Sequence, residues 1–345
     1  MKFSLFAHME RNDPKKSHAE LFWELTDLVL MAERAGFETV WIGEHHGMEF
    51  TIAPNPFINL SYFGALTKTI RLGTGTIIAP FWHPIRLAGE AAMTDVVTAG
   101  RLDLGIARGA YSFEYERMMP GLDAWSAGQR LREMIPAIRR LWEGDYAHQG
   151  EFWNFPTTTS TPKPVQKPFP PIWVAARDPS SHDFAVANSC NVQVTPLASG
   201  DSEVRTLMER FRTACSNHPA APRPAIMLLQ HTFVAETAAE ADELANDLSL
   251  FYCAFGAWFQ NKRPVLNGFM KPLSADERMS TPNYAPEIIR KNLVIGQPEE
   301  VIARLKNYEA LGYDQYSVWI DGGISHARKK KSLELFARQV MPAFG

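Results

Sequence analysis

The chain predicts an α/β fold, a single (β/α)8 TIM barrel with insertions, on three observations. Short β-type runs alternate with longer helical runs from end to end, and such alternation implies parallel strands joined by right-handed crossovers. Eight strand-helix units favour a closed barrel over a doubly wound sheet, and 345 residues suit a barrel with insertions. No internal repeat, linker or second composition regime appears, so one domain over 1–345 is expected.

The elements follow in order. Phe3 to Ala7 reads as the first strand. Ser17 to Ala35 reads as an amphipathic helix, with Ser17 as cap, Leu21, Leu25, Leu28 and Ala32 on one face, and Gly36 as terminator. Thr39 to Ile42 is the second strand, a helix covers Phe57 to Thr67, and Ile70 to Ile78 is the third strand. Leu87 to Thr98 is helical and Leu102 to Ile106 is the fourth strand. Trp125 to Trp142 reads as a helix that Pro136 kinks or divides. Residues 147–171, rich in Thr and Pro towards the end, read as an inserted surface excursion. Strands follow at Ile172 to Ala176, Val192 to Thr195, Ile226 to Ala235 and Gln315 to Ile320. Helices are expected at Ser180 to Asn188, Val204 to Ser216, Ala238 to Phe259, Glu299 to Leu311 and Ser325 to Met341. Residues 261–286 lack periodicity and read as a long mobile lid loop.

Composition narrows the function. Apolar residues at 46% and charged residues at 21% are the balance of a globular enzyme able to bury a large core. A net charge of -3 argues against nucleic acid, because phosphate binding needs a concentrated cationic surface. The one basic run, Arg328 to Lys331, reads as the solvated face of the last helix. Cys190, Cys215 and Cys253 are far apart and show no metal or disulfide spacing. The start of the chain turns charged too soon for a signal peptide, and no apolar run reaches the ~18 residues of a membrane span. A cytoplasmic location is expected.

In a barrel, residues just after each strand gather around one pocket. That rule collects Gly43-Glu44-His45-His46 after the second strand, Ala79 to Pro84 after the third, Ala107 to Tyr111 after the fourth, Arg177 to Ser181 after the fifth, and Asp321-Gly322-Gly323 after the eighth. Neighbours on an extended strand end point to opposite sides, so one of His45 and His46 is expected to face the pocket as an acid, base or hydrogen-bond donor, the alternative being a purely structural pair. With no HxH or HxxxE partner elsewhere, no metal is expected. Arg108, and Arg177 with Ser180 and Ser181 at a helix start, read as anion sites for one phosphate-bearing ligand. The alternatives are a salt bridge from Arg108 to Glu114 or Glu116, and simple capping by the serines. Gly73-Thr74-Gly75-Thr76 reads either as a bulge or as backbone against which a planar ring can lie. Phe81, Trp82, Tyr111, Phe113, Tyr115, Trp258 and Phe259 supply aromatic material for an apolar substrate pocket.

With these residues assembled, the chain resembles the bacterial luciferase-like flavin-dependent monooxygenases, the luciferase alpha subunit above all. The resemblance runs nearly end to end through MKFSLF, AERAGFETVWIGEHHGMEF, IRLGTGTIIAPFWHPIR, GRLDLGIARGAY, IWVAARDPSS, VIGQPEEVIARL and LFARQVMPAFG. The EHH run and the GI-x-RG-x-Y run are the specific ones.

The resemblance implies a two-component enzyme. Reduced FMN would come from a separate NAD(P)H:flavin reductase and react with O2 to a flavin hydroperoxide that oxygenates a small apolar, aromatic or carbonyl substrate. It implies that His45 faces the flavin and that Arg108 and Arg177 to Ser181 grip the phosphate. It also implies that Gly75-Thr76 supports the ring through a non-prolyl cis peptide, and that Glu44 and Tyr111 line the flavin pocket. Phe81, His83, Tyr111 and Trp258 are the expected substrate contacts. Ala107 stands where luciferase has a reactive cysteine, and Ala176 stands where it has a carboxylate. A homodimer on the early helices, with Phe57, Ile58, Leu60, Tyr62 and Phe63 as apolar surface, is implied as well. The rival readings are a deazaflavin-dependent hydride-transfer enzyme on the same fold and a non-catalytic flavin-binding subunit.

Overall fold

The computed structural model describes residues 1–345. Its frame is a ring of parallel strands: β1 (Lys2–Phe6), β2 (Thr39–Ile42), β3 (Arg71–Thr74), β4 (Leu102–Ala107), β5 (Ile172–Ala175), β6 (Asn191–Val194), β7 (Ile226–Val234) and β8 (Gln315–Trp319). Each pairs with the next, and β8 returns to β1 with Lys2 opposite Gln315 and Phe6 opposite Trp319. The sheet is therefore a closed eight-stranded barrel with helices between the strands, as the alternation predicts.

Side chains alternate along each strand. Leu5, Val40, Leu72, Leu104, Val174, Val192, Leu228 and Val318 are all at most 1% exposed. Burying each such side chain contributes about 1.5–3 kcal/mol, which fixes strand register. On β2 and β3, Trp41 takes the space Gly73 leaves free: a Cβ there would lie 2.1 Å from the indole. Trp173 meets Trp41 edge-on at 5.4 Å.

The outer elements are α1 (His18–Arg34), α2 (Pro56–Leu66), α3 (Pro84–Val97), α4 (Ser112–Met118), α5 (Ala124–Glu143), α6 (Pro179–Ala187), α7 (Gly200–Asn217), α8 (Ala238–Gln260), α9 (Ala275–Met279), α10 (Pro286–Asn292), α11 (Pro298–Ala310) and α12 (His326–Leu335). Ser17 forms a capping box with Glu20, and Gly36 leaves the helix at φ +80°. No helix is long and apolar enough to cross a membrane.

Several expectations need correction. The third strand is not continuous over 70–78. It breaks at the cis peptide Gly75-Thr76 and resumes at Ile77–Ile78. The Thr74 hydroxyl has entered the ladder there, donating to the Gly105 carbonyl at 2.7 Å and accepting its amide at 2.8 Å. Pro136 does not divide α5, whose flanking Met134, Ile135, Ala137 and Ile138 are fully buried and hold the helix together. Residues 147–171 begin inside an antiparallel pair, Tyr146–Gln149 with Asn154–Thr158.

A short strand, Val294–Gly296, pairs with the far half of β7 and was invisible as three residues of apolar sequence. Residues 261–286 are not bare loop. They hold a Val265–Leu266/Phe269–Met270 hairpin, α9 and a 3-10 turn at Pro282–Tyr284. The last helix stops at Leu335 and continues as a wider turn, Phe336–Val340, and then a 3-10 turn. On α2, Phe57, Leu60 and Phe63 turn into the core rather than outward, whereas Ile58 is 69% exposed.

Candidate active site

One cavity of about 510 Å3 lies at the C-terminal ends of the strands. It gathers Glu44 and His45 after β2, Gly75 and Thr76 after β3, Ala107, Arg108 and Tyr111 after β4, and Ala176, Arg177, Ser180 and Ser181 after β5. His45 and Arg108 therefore share one wall system.

The two adjacent histidines are sent opposite ways. His45 donates from Nδ1 to Glu114 Oε2 at 3.0 Å, so its Nε2 is left to the cavity it lines. His46 turns back, and its Nε2 lies 2.7 Å from Glu44 Oε1. Burial opposes a charge on His46, but Glu44 outweighs it and raises the imidazole above its ordinary range. The other Glu44 oxygen accepts from the Ile78 amide at 2.8 Å and Trp82 Nε1 at 2.9 Å. Glu44 thus ties the end of β2 to the Ile77–Ile78 segment and the turn after it. Glu114, on α4, is 1% exposed and also accepts the His46 amide at 2.7 Å. Sequence reading gave Glu114 to Arg108 as a possible salt bridge, and missed its tie to His45. Arg108 makes neither that bridge nor one to Glu116; it donates to the Ala124 carbonyl at 2.9 Å.

Arg108, Arg132 and Arg177 all reach the polar end of the cavity. Asp178 caps α6 there and accepts the Ser181 amide at 3.0 Å, the Ser180 hydroxyl at 2.7 Å and the Ser181 hydroxyl at 2.7 Å. Burial would raise the Asp178 carboxyl, yet the two hydroxyls and backbone outweigh it and hold it at about 2. The serines are thus engaged in capping, and a phosphate would share them with Asp178. Arg108, Arg132, Arg177 and Arg210 against Asp178 and Glu203 still leave this end positive. Arg177 lies 3.8 Å from Glu203, which also has Arg210 at 3.6 Å.

The other end is aromatic. Tyr111 lines it, together with His8, Phe50, Phe255, Phe259 and Trp319. Three expected contacts do not reach it. Phe81 packs on His46 and Tyr115, His83 caps α3 and lies against Phe155, and Trp258 packs edge-on to Phe113. For Trp258 the error is one of helical phase: positions 255 and 259 on α8, four apart, face the cavity, and 258 does not. His8 lies just after β1, an end the sequence reading does not collect, and Trp319 is the last residue of β8, just before the collected Asp321 to Gly323.

Behind this end lies a buried charged cluster. Lys329 Nζ is 2.5 Å from Asp321 Oδ1, and Asp321 Oδ2 accepts the His8 amide at 2.6 Å. Glu10 Oε2 accepts the Gly322 and Gly323 amides at 2.9 and 3.0 Å. Burial first, and then Asp321, push the Glu10 carboxyl up to about 7. Burial, then His45, hold His8 well below the ordinary imidazole range.

A flavin mononucleotide suits this wall. The positive end answers its phosphate, and Gln193, which lines the cavity, has an Nε2 with no protein partner to offer to a ring carbonyl. Gly75 beside Thr76 has no room for a side chain, since a Cβ on it would meet Phe6 and Trp41 at 3.0 Å.

Residues 1–315 match the family model described as luciferase-like monooxygenase. The oxygenase component of the flavin-dependent trigonelline monooxygenase of Acinetobacter baylyi is 61% identical over 344 residues, covering 100% of this chain and 96% of the relative. An alkanal monooxygenase alpha chain of Photorhabdus luminescens is 30% identical over 186 residues, 54% of this chain and 51% of its own. Among solved structures, the monooxygenase RslO1 of Streptomyces bottropensis superposes with a TM-score of 0.83 at 26% identity, covering both chains entirely.

Proposed function

We propose, from the premise that this chain belongs to the luciferase-like monooxygenase family, that it oxygenates trigonelline or a close N-methylated pyridinium carboxylate. The chain is a flavin-dependent monooxygenase, the oxygenase component of a two-component system that takes reduced FMN and O2. The observation that carries the substrate is the 61% identity to a trigonelline monooxygenase component across essentially both chains. Hydride transfer on a deazaflavin and a merely flavin-binding role are displaced by the same full-length similarity.

Bound reduced FMN supplies two electrons, with which one atom of O2 enters the substrate and the other leaves as water. The chain's residues do the rest. Arg108, Arg132 and Arg177 hold the phosphate, and the Gly75-Thr76 floor carries the ring. His45 keeps Nε2 ready to hold or pass a proton at the reacting edge, because Glu114 occupies Nδ1. The aromatic end excludes water, which protects the oxygenating chemistry from wasteful peroxide release. Residues 261–286 leave α8 just beyond Phe259 and act as the cover of this end. A second copy docks on the α2–α3 face, where Ile58, Met93 and Val97 are 69%, 50% and 51% exposed.

The test supplies NADH, FMN, a flavin reductase and 18O2 with trigonelline. One labelled oxygen atom in the product is expected. Hydrogen peroxide as the only outcome, with trigonelline recovered unchanged, would overturn the substrate.

A further inference from the structure

The aromatic end of the cavity has a closed outline. His45 meets Tyr111 at 5.3 Å between centroids, Tyr111 meets Phe259 at 4.7 Å, and Phe259 meets Phe255 at 4.9 Å. Phe255 meets Trp319 at 6.2 Å, Trp319 meets His8 at 6.0 Å, and His8 returns to His45 at 6.1 Å. All six rings line the cavity. They come from five parts of the chain: the ends of β1, β2 and β8, the loop after β4, and α8.

We infer that this collar of six rings is the recognition site for a permanently cationic N-alkylated heteroaromatic ring, with the Thr51 hydroxyl as the anchor for its carboxylate. The inference rests on the monooxygenase reading above and adds to it the residues that select the substrate.

Four observations support it. Ring faces and edges surround the space without any lysine or arginine among them, and aromatic faces attract a desolvated cation. The cavity's arginines all belong to the opposite, phosphate end. Behind the collar, the carboxylates of Asp321 and Glu114 stand against the single Lys329. Thr51 lines the same cavity, is 1% exposed, and its Oγ1 has no partner in the protein, so it is free to bond a ligand. The collar also abuts the Gly75-Thr76 floor. A Cβ on Gly43 would lie 2.7 Å from His8 Cε1 and 2.9 Å from the Gly75 carbonyl, so one residue separates the collar from the peptide that carries the cofactor ring.

The experiment compares two ligands of one shape by titration calorimetry on FMN-loaded protein. N-methylpyridinium-3-carboxylate carries the ring cation, and 3-methylbenzoate replaces that nitrogen by carbon. The wild type is expected to bind the cation about tenfold more tightly or better, the size of one desolvated cation–π contact. Phe255→Leu and Phe259→Leu are each expected to weaken the cation by about fivefold while changing the neutral isostere less than about twofold. Thr51→Val is expected to weaken both ligands alike, since both carry the carboxylate. Equal affinity for the two ligands in the wild type would overturn the collar, and so would leucine variants that weaken both equally. Should the variants not fold, the wild-type comparison decides alone. Label entering the product while the two ligands bind equally would sink the collar and leave the monooxygenase reading standing; a preference for the cation without label would do the reverse.

Discussion

His45 and Glu114 are 69 positions apart in sequence, yet Nδ1 of one donates to Oε2 of the other across 3.0 Å. The carboxylate fixes the ring's tautomer and rotamer and is itself held by the His46 amide at 2.7 Å. Replacing His45 by Ala is expected to cut coupled turnover by about 100-fold, in the range of a lost acid–base group, with FMN binding changed less than about threefold. Glu114→Gln keeps the shape and loses the charge. It should lower the ratio of product to hydrogen peroxide by about tenfold, with partial recovery in Glu114→Asp. An unchanged ratio in Glu114→Gln would show that the carboxylate merely packs.

The phosphate end makes a second prediction. Arg108→Ala and Arg177→Ala should each weaken FMN by about tenfold, the low end for a charge-assisted hydrogen bond because both side chains meet solvent. Riboflavin, which lacks the phosphate, should bind the variants and the wild type equally. Fluorescence quenching of the two flavins measures this directly.

Asp178 gives the opposite sign. Asparagine caps a helix as well as aspartate does. Asp178→Asn should therefore leave the melting temperature within a few degrees while tightening FMN by a few fold at low salt, because the carboxylate that caps the helix start beside the arginines is gone. Weaker FMN binding in this variant would mean that Asp178 organises the serines for the phosphate.

Glu10 links stability to pH. Its carboxyl stands at about 7 in the folded chain against an ordinary value of 4.5, raised first by burial and then by Asp321. Between these values the folded state holds the proton that the unfolded state has released. The contribution is therefore complete below about pH 4.5 and is lost as pH rises through about 7. Glu10→Gln should flatten the fall in stability over that window, read by denaturant unfolding at pH 5 and 8. Parallel curves for variant and wild type would count against the buried proton.

Gly73 tests the barrel itself. A methyl group there would sit 2.1 Å from the Trp41 ring, which is packed against Trp173 and cannot retreat. Gly73→Ala should cost about 3 kcal/mol or more. A thermal scan showing a normal midpoint would mean that Trp41 has another place to go.

Much of this was legible in the chain because the barrel rule converts strand ends into neighbours. It brought Glu44, His45, Arg108 and Arg177 to one cavity without any pairwise signal between them, while Thr76 came from the family resemblance. It failed where a longer-range choice decides. Glu114 sits on a helix seven residues past Ala107, and nothing local says whether it serves Arg108 or His45. Phe81, His83 and Trp258 are aromatic or polar near strand ends, but a helix phase or a capping role turns each away. Phe255 escaped for the same reason, lying inside a helix that reads as apolar on most sides. The buried cluster of Glu10, Asp321 and Lys329 joins the two ends of the chain, a pairing that appears only once the last strand closes on the first.

The tie between Glu44 and His46 has a bearing on engineering. Because consecutive side chains at this corner alternate between wall and interior, the length of the Gly43–Gly47 stretch is an address as much as a connection. Deleting His45 would bring His46 to its place in the chamber and leave Glu44 Oε1 without its imidazole. Grafts that swap this corner between related barrels should therefore conserve its residue count before they consider its composition.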